Sequence, residues 1–325
     1  MYALKMQPVF KSHIWGGTAF KDKYGKSFDG DTASEAWEVS VHKNGASIIA
    51  NGALTGMSFD EAVRKFGKQL LGDYVYDKYG GEFPLLVKFL DCNDKLSVQV
   101  HPDDAYAKAH EGEFGKTEMW YILDAKPGAK LVYGFGKDTS REEVKSAIES
   151  GNLDGLLNCV NVSAGDTFFV KAGLLHALYD GLLVAEIQQN SDTTYRVFDH
   201  NRIGADGKPR ELHVAQSLNV LDYKSGKGVE KVRTSPVKIG ENVQESLVEC
   251  EQFSTNGYIV KEKIELTSQK QSFDTLIFYE GTAIIETTGD SVVVKPGDSV
   301  VIPAYLGDYT ITGSCAFLKS FVPYN

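Results

Sequence analysis

Hydrophobic and polar residues alternate along much of this chain in short runs broken by Gly, Asp and Asn. PLLVKFLD, LSVQVH, MWYIL, DTFFV, LLVAEIQQ, TLIFYEGTAIIE and DSVVVKPGDSVVIP are the clearest. Period-two alternation in runs of this length predicts strands, and their regular separation by turn residues predicts an all-β sandwich or barrel. Two helical insertions interrupt the pattern. Ser58–Glu61 forms a capping box that opens a helix over about 58–72, and Ser140–Glu143 opens another over about 140–157. A third helix is expected around Asp103–His110. The polar, Gly- and Lys-rich stretch Tyr223–Ser235 marks a linker or long surface loop, which divides the chain into 1–235 and 236–325.

A weak internal repeat supports two related units. Gly165-Asp-Thr-Phe-Phe-Val-Lys-Ala-Gly-Leu-Leu-His176 has a counterpart in Gly297-Asp-Ser-Val-Val-Ile-Pro-Ala-Tyr305. Each copy is a Gly-Asp turn, a buried strand and a second turn, but only the first ends on a histidine. The expectation is two β-barrels, of which only the N-terminal one can hold a metal.

Length and composition narrow the classes. A chain of 325 residues suits one large domain with a smaller one. Its hydrophobic share of 42% and charged share of 24% are those of a soluble globular protein. No run approaches the roughly 20 apolar residues that span a bilayer, and the N-terminus lacks the pattern of a signal peptide, so no membrane association and a cytoplasmic location are expected. The net charge of −10 argues against nucleic acid as a partner. A small anionic substrate stays open, because a few lysines and arginines in a cleft reverse the sign locally. The four cysteines show no CxxC pair and read as buried or inert thiols. A monomer or a homodimer fits equally.

The segment LSVQVHPDD, Leu96–Asp104, carries the most chemistry. Its alternation puts Leu96, Val98 and Val100 on one face and Ser97, Gln99 and His101 on the other. In Lys116-Thr-Glu118-Met-Trp120 the same rule groups Lys116, Glu118 and Trp120, and His176 follows a glycine turn that ends a buried strand. Gln99, His101, Glu118 and His176 together offer two imidazoles, a carboxylate and an amide oxygen, a set suited to a divalent ion such as Zn²⁺. Taken singly, each has an ordinary explanation as a surface or hydrogen-bonded residue. His13, His42, His110, His200 and His213 lack comparable context and read as unremarkable.

Specific motifs then join these residues. Gly165, Gly173 and His176 resemble the second cupin motif, with Lys171 where proline is usual, and Gln99-Val-His101 replaces the first motif's His-x-His. WGG at Trp15–Gly17, SEAWEVS at Ser34–Ser40, FPLLVKFLD, LSVQVHPDD, GKTEMWYIL, AGLLHAL and NSDTTYRVFDHNR together make most of the chain similar to the type I phosphomannose isomerases, in their short bacterial form. The resemblance implies a mainly β double cupin, two jelly-roll barrels with helical insertions. It implies one Zn²⁺ per chain, held by His101, Glu118 and His176 with Gln99 as fourth ligand. Longer members carry His-Lys-Pro-Glu-Met where this chain has Gly115-Lys-Thr-Glu-Met, so no histidine role transfers to Gly115.

The implied reaction interconverts mannose 6-phosphate and fructose 6-phosphate by moving a proton between C1 and C2 through an enediol. It needs a base, oxyanion stabilisation and a grip on the phosphate. Arg196 matches the family's active-site arginine. Lys88 inside PLLVKFL and Glu186 inside LLVAEIQQ are charges in apolar runs, and Lys116 shares the Glu118 face; the base is open among Lys88, Lys116 and Glu186. Arg196, Lys88, Lys116 and Arg202 are candidates for the phosphate, and Trp15 and Trp120 for stacking on the sugar. Two other readings stand beside this one: a cupin enzyme of different chemistry, such as an iron-dependent dioxygenase, and a non-catalytic, metal-containing sugar-phosphate-binding protein.

Overall fold

The computed structural model describes residues 1–203, 207–228 and 230–324. Four antiparallel sheets stack face to face. A six-stranded sheet runs in the order Thr167–Val170, Glu118–Ala125, Leu182–Gln189, Leu85–Cys92, Glu35–Val39, Val9–Lys11. It faces a five-stranded sheet of Tyr195–Phe198, Val98–Val100, His176–Leu178, Lys130–Phe135 and Leu157–Asn161. An eight-stranded and a four-stranded sheet, built almost entirely from residues beyond 236, form the second pair. This is the mainly β, two-barrel architecture that the alternation predicts.

The alternation also explains the layering. In Leu85–Cys92, Leu85, Val87 and Phe89 enter a core shared with Ile277, Val301 and Leu318 of the eight-stranded sheet. Leu90 and Cys92, on the opposite face, pack with Leu131 and Tyr133 of the five-stranded sheet. Every residue of Leu85–Cys92 and of Leu182–Gln189 is therefore buried. A third core fills the C-terminal barrel around Leu276, Phe278 and Phe317, and a fourth covers the outer face of the five-stranded sheet with Val144 and Leu218 from helices Arg141–Glu149 and Val214–Val220.

The Gly-Asp repeat extends to the backbone. Gly165 and Gly297 both adopt positive φ, 87° and 88°. Gly165 N–H donates to Ile122 O and Ile122 N–H to Asp166 O, while Gly297 N–H donates to Phe278 O and Phe278 N–H to Asp298 O. The two barrels thus close the same hairpin in the same way.

Three differences from the sequence reading are physical in origin. The first strand, Leu4–Gln7, lies in the C-terminal barrel's sheet between Ser299–Ile302 and Ile48–Ile49, so a cut near 235 does not part the sheets; alternation identifies a strand but not its neighbour. The insertion after Ser58 splits at Gly67 and Gly72 into helices Phe59–Phe66, Lys68–Leu71 and Asp73–Lys78, which bridge the barrels through Asp73 N–H to Lys270 O and Ala304 N–H to Leu70 O. Ser140 caps its helix by accepting from Glu143 N–H, whereas the Ser58 hydroxyl is taken by the Asp60 carboxylate. The stretch 223–235, apart from Val229, which lies outside the described residues, includes bridges from Ser225 to Phe135 and Lys231 to Phe168 along the N-terminal barrel. All four cysteines are free; Cys92 and Cys315 are buried and Cys159 is exposed. Among the described residues no helix is long and apolar enough to cross a membrane.

Candidate metal centre and active-site cavity

Two cross-strand rows line the space between the six- and five-stranded sheets. On the five-stranded sheet, Arg196, Gln99, His176 and Tyr133 occupy one rung of successive strands. On the six-stranded sheet, Trp120, Glu186, Lys88 and Trp37 do the same. Residues opposite one another in antiparallel strands project from the same face, so register alone brings together side chains up to about a hundred positions apart. Gly173 sets the start of the His176 strand. It has φ 87°, its N–H donates to His101 O at 2.9 Å, and a Cβ would stand 3.0 Å from Val220 O.

His101, Glu118 and His176 converge, fully buried, with their ligating atoms within 4.8 Å of one another. His101 Nδ1–H donates to Thr193 O at 3.0 Å and His176 Nδ1–H to Leu174 O at 2.8 Å. Each bond turns the other ring nitrogen inward as a lone pair. The two Nε2 atoms stand 3.1 Å apart, and Glu118 reaches them at 3.5 and 3.4 Å. Among the described residues neither Glu118 oxygen has a hydrogen-bond partner. The Gln99 amide nitrogen lies 3.3 Å from His176 Nε2, which sets the side-chain amide beside the cluster.

The burial, charge and orientation of these groups are compatible with a cation between them. Burial pushes the Glu118 carboxyl up to about 8, with Glu186 adding to it, while burial takes His176 down to about 3 and His101 well below the usual histidine value. A buried carboxylate left unsatisfied costs several kcal/mol, more than the single Lys116 ammonium at 3.4 Å offsets. Two neutral imidazoles, a carboxylate and an amide fit a divalent ion of the borderline class.

Beside the cluster is a cavity of about 280 Å³ lined by His13, Trp15, Glu35, Lys88, Gln99, Lys116, Glu186, Asp192, Arg196 and Arg210 among others. Gln99 and Lys116 belong to both. Lys88, Lys116, Glu186 and Arg196, singled out in the sequence, therefore share one cavity, and Trp15 is on its wall. Trp120 is in the core, donating to Glu186 Oε2 at 2.9 Å and meeting the His176 ring edge-on. Lys88 sits between two carboxylates, 3.3 Å from Glu186 and 3.4 Å from Glu35. Burial would lower its pKa, but Glu35 and Glu186 outweigh that and raise it, so Lys88 stays charged.

Glu35, His13, Asp192 and Arg210 are lining residues that the sequence reading did not single out. Glu35 lies inside the quoted SEAWEVS run, where alternation with Trp37 marks it as inward. His13, read there as unremarkable, is 3.4 Å from Glu35. Arg210 had no marker in the sequence: it reaches the cavity while held by Asp199. Arg202 is a correction. It pairs with Asp199 at 2.7 Å and Asp94 at 3.3 Å and is not on the cavity wall. At Gly115 a Cβ would stand 2.5 Å from the backbone of Asp103 and Asp104, so no side chain fits there.

Comparison with known proteins agrees with this geometry. Residues 3–127 match the model of the phosphomannose isomerase type I catalytic domain, and residues 243–322 that of the mannose-6-phosphate isomerase cupin domain. The chain is 41% identical over 98% of its length to a probable mannose-6-phosphate isomerase of Bacillus subtilis, covering 99% of that protein. A mannose-6-phosphate isomerase of the same organism is 39% identical, with 95% of this chain and 96% of the relative aligned. The crystal structure of a Bacillus subtilis mannose 6-phosphate isomerase superposes with a TM-score of 0.88 at 36% identity, covering 98% of this chain and 99% of that one. The chain belongs to the type I phosphomannose isomerase family.

Proposed function

We propose that this chain interconverts mannose 6-phosphate and fructose 6-phosphate, with Zn²⁺ held by His101, Glu118, His176 and the Gln99 amide oxygen. The observation that carries the reading is a metal-capable cluster standing beside a cavity whose wall holds an ionic set able to move a proton. A bound Zn²⁺ supplies Lewis acidity toward the sugar oxygens.

Glu186 is the proton carrier in this scheme. Its carboxylate accepts from Trp120 on one oxygen and faces the Lys88 ammonium at 3.3 Å with the other, which orients it on the cavity wall. It takes the C2 proton of the open-chain aldose and returns it to C1, while the O2 proton is transferred to O1. Aldose becomes ketose with no net change in atoms or electrons. Lys88 stays protonated and so is not the base. Arg196, a permanent cation, stabilises the enediolate charge, and Lys116 donates to the sugar oxygens beside the cluster. Arg210, also on the cavity wall, supplies a guanidinium for the phosphate.

A coupled assay with mannose 6-phosphate tests this before chelation, after it and after zinc is restored. Activity lost on chelation and recovered with zinc is expected. Undiminished turnover in metal-free protein would remove the zinc reading, and binding of fructose 6-phosphate without turnover would favour a sugar-phosphate-binding role.

A further inference from the structure

We propose that Glu35 is a positioning residue for the proton transfer, acting through Lys88 on Glu186; this rests on the reading of Glu186 as the proton carrier. The Lys88 ammonium is 3.4 Å from Glu35 Oε2 and 3.3 Å from Glu186 Oε1, and its side chain is only 4% exposed. One buried cation is thus suspended between two carboxylates, close to both and collapsed onto neither. Each carboxylate is pinned by an indole: Trp37 Nε1–H donates to Glu35 Oε2 at 2.6 Å and Trp120 Nε1–H to Glu186 Oε2 at 2.9 Å. The Trp37 ring also carries the Lys88 ammonium 5.2 Å from its centroid.

Sheet register holds the arrangement. Trp120, Glu186, Lys88 and Trp37 follow one another on four adjacent strands, and Glu35 projects from the same face two residues before Trp37. Sharing has a chemical consequence. An ammonium wholly paired with Glu186 would close onto its oxygen and draw the carboxylate away from the substrate. Divided with Glu35, the same ammonium fixes the carboxylate's direction and leaves that oxygen facing the cavity. Glu35 itself faces three groups, since besides Trp37 and Lys88 the His13 Nε2 stands 3.4 Å from its other oxygen.

The test is a double-mutant cycle on the zinc-loaded enzyme with E35Q, K88M and the double variant, and E186Q alongside. E35Q keeps an acceptor for Trp37 and removes only the charge. It should lower kcat about 10- to 100-fold, the scale of a misplaced catalytic group, with KM and metal content nearly unchanged. In the K88M background it should cost nothing further, because Glu35 acts through Lys88. An equal loss with and without Lys88, or a change confined to Tm or KM, overturns the proposal. Should K88M not fold, E35D decides: kcat above that of E35Q supports charge sharing and equal kcat refutes it. Near-normal turnover in E186Q would instead remove the proton-carrier reading, whatever the cycle shows about Glu35 and Lys88.

Discussion

Gln99 and His176 stand directly opposite each other in the ladder between Val98–Val100 and His176–Leu178, the amide 3.3 Å from the imidazole Nε2. Arg196 continues the same rung on the next strand. The three side chains are therefore placed by one register, and a slip of one residue would turn all of them out of the barrel.

Because Arg196 donates hydrogen bonds to His213 and Glu211 and is not among the three clustered His and Glu residues, Arg196→Ala should keep its metal and lose turnover. A fall in kcat of about 100-fold or more is expected for removing one charge-stabilising donor, with metal content by elemental analysis unchanged. Loss of metal in this variant would place Arg196 in the cluster instead.

Glu118 is costly to bury as an anion unless a cation is present. Glu118→Gln should abolish zinc binding and yet leave the metal-free protein at least as stable as metal-free wild type. Adding zinc should raise the Tm of wild type alone, by an amount equivalent to about 2.7 kcal/mol at a hundredfold excess over Kd. Thermal unfolding of both proteins with and without metal checks the four values.

At Gly115 the obstacle to a side chain is backbone, which cannot swing aside. Gly115→Ala should destabilise the fold by about 1–3 kcal/mol, as overpacking does, and should displace Lys116 enough to lower kcat. Urea unfolding at fixed metal concentration measures the first effect.

Asp199 gives the acid dependence a definite sign. Burial would raise its pKa, but hydrogen bonds and charge from Arg210 and Arg202 outweigh that and hold it below the usual carboxylate range. Its contribution is thus complete above the unfolded value of about 3.9 and is lost as pH falls through the folded value. Asp199→Asn should lower Tm at neutral pH, with the gap to wild type narrowing below about pH 4. A gap that widens on acidification would show the sign to be wrong.

Leu4 separates stability from catalysis. It is fully buried in the core between the barrels, away from the cavity. Leu4→Ala should cost about 2–5 kcal/mol in chemical denaturation, and kcat of the folded enzyme should stay at the wild-type value.

Much of this protein was determined by its sequence alone. Strand alternation reports which side chains share a face, and that local rule was enough to group Ser97, Gln99 and His101, to pair Lys116 with Glu118, and to mark Lys88 and Glu186 as charges within buried runs. The helix after Ser140 was legible from its cap for the same reason, since capping acts over three or four residues, whereas the Ser58 hydroxyl went to Asp60 and its insertion broke at Gly67 and Gly72. What tertiary structure decided is everything that depends on which strands become neighbours. It placed Leu4–Gln7 in the far barrel, brought Glu35 to Lys88 and His13 to Glu35, turned Arg210 toward the cavity and paired Arg202 with Asp199 and Asp94. Strand pairing is fixed by burial summed over whole faces, and a loop arginine's direction by the carboxylate it meets; neither leaves a periodic trace in the chain.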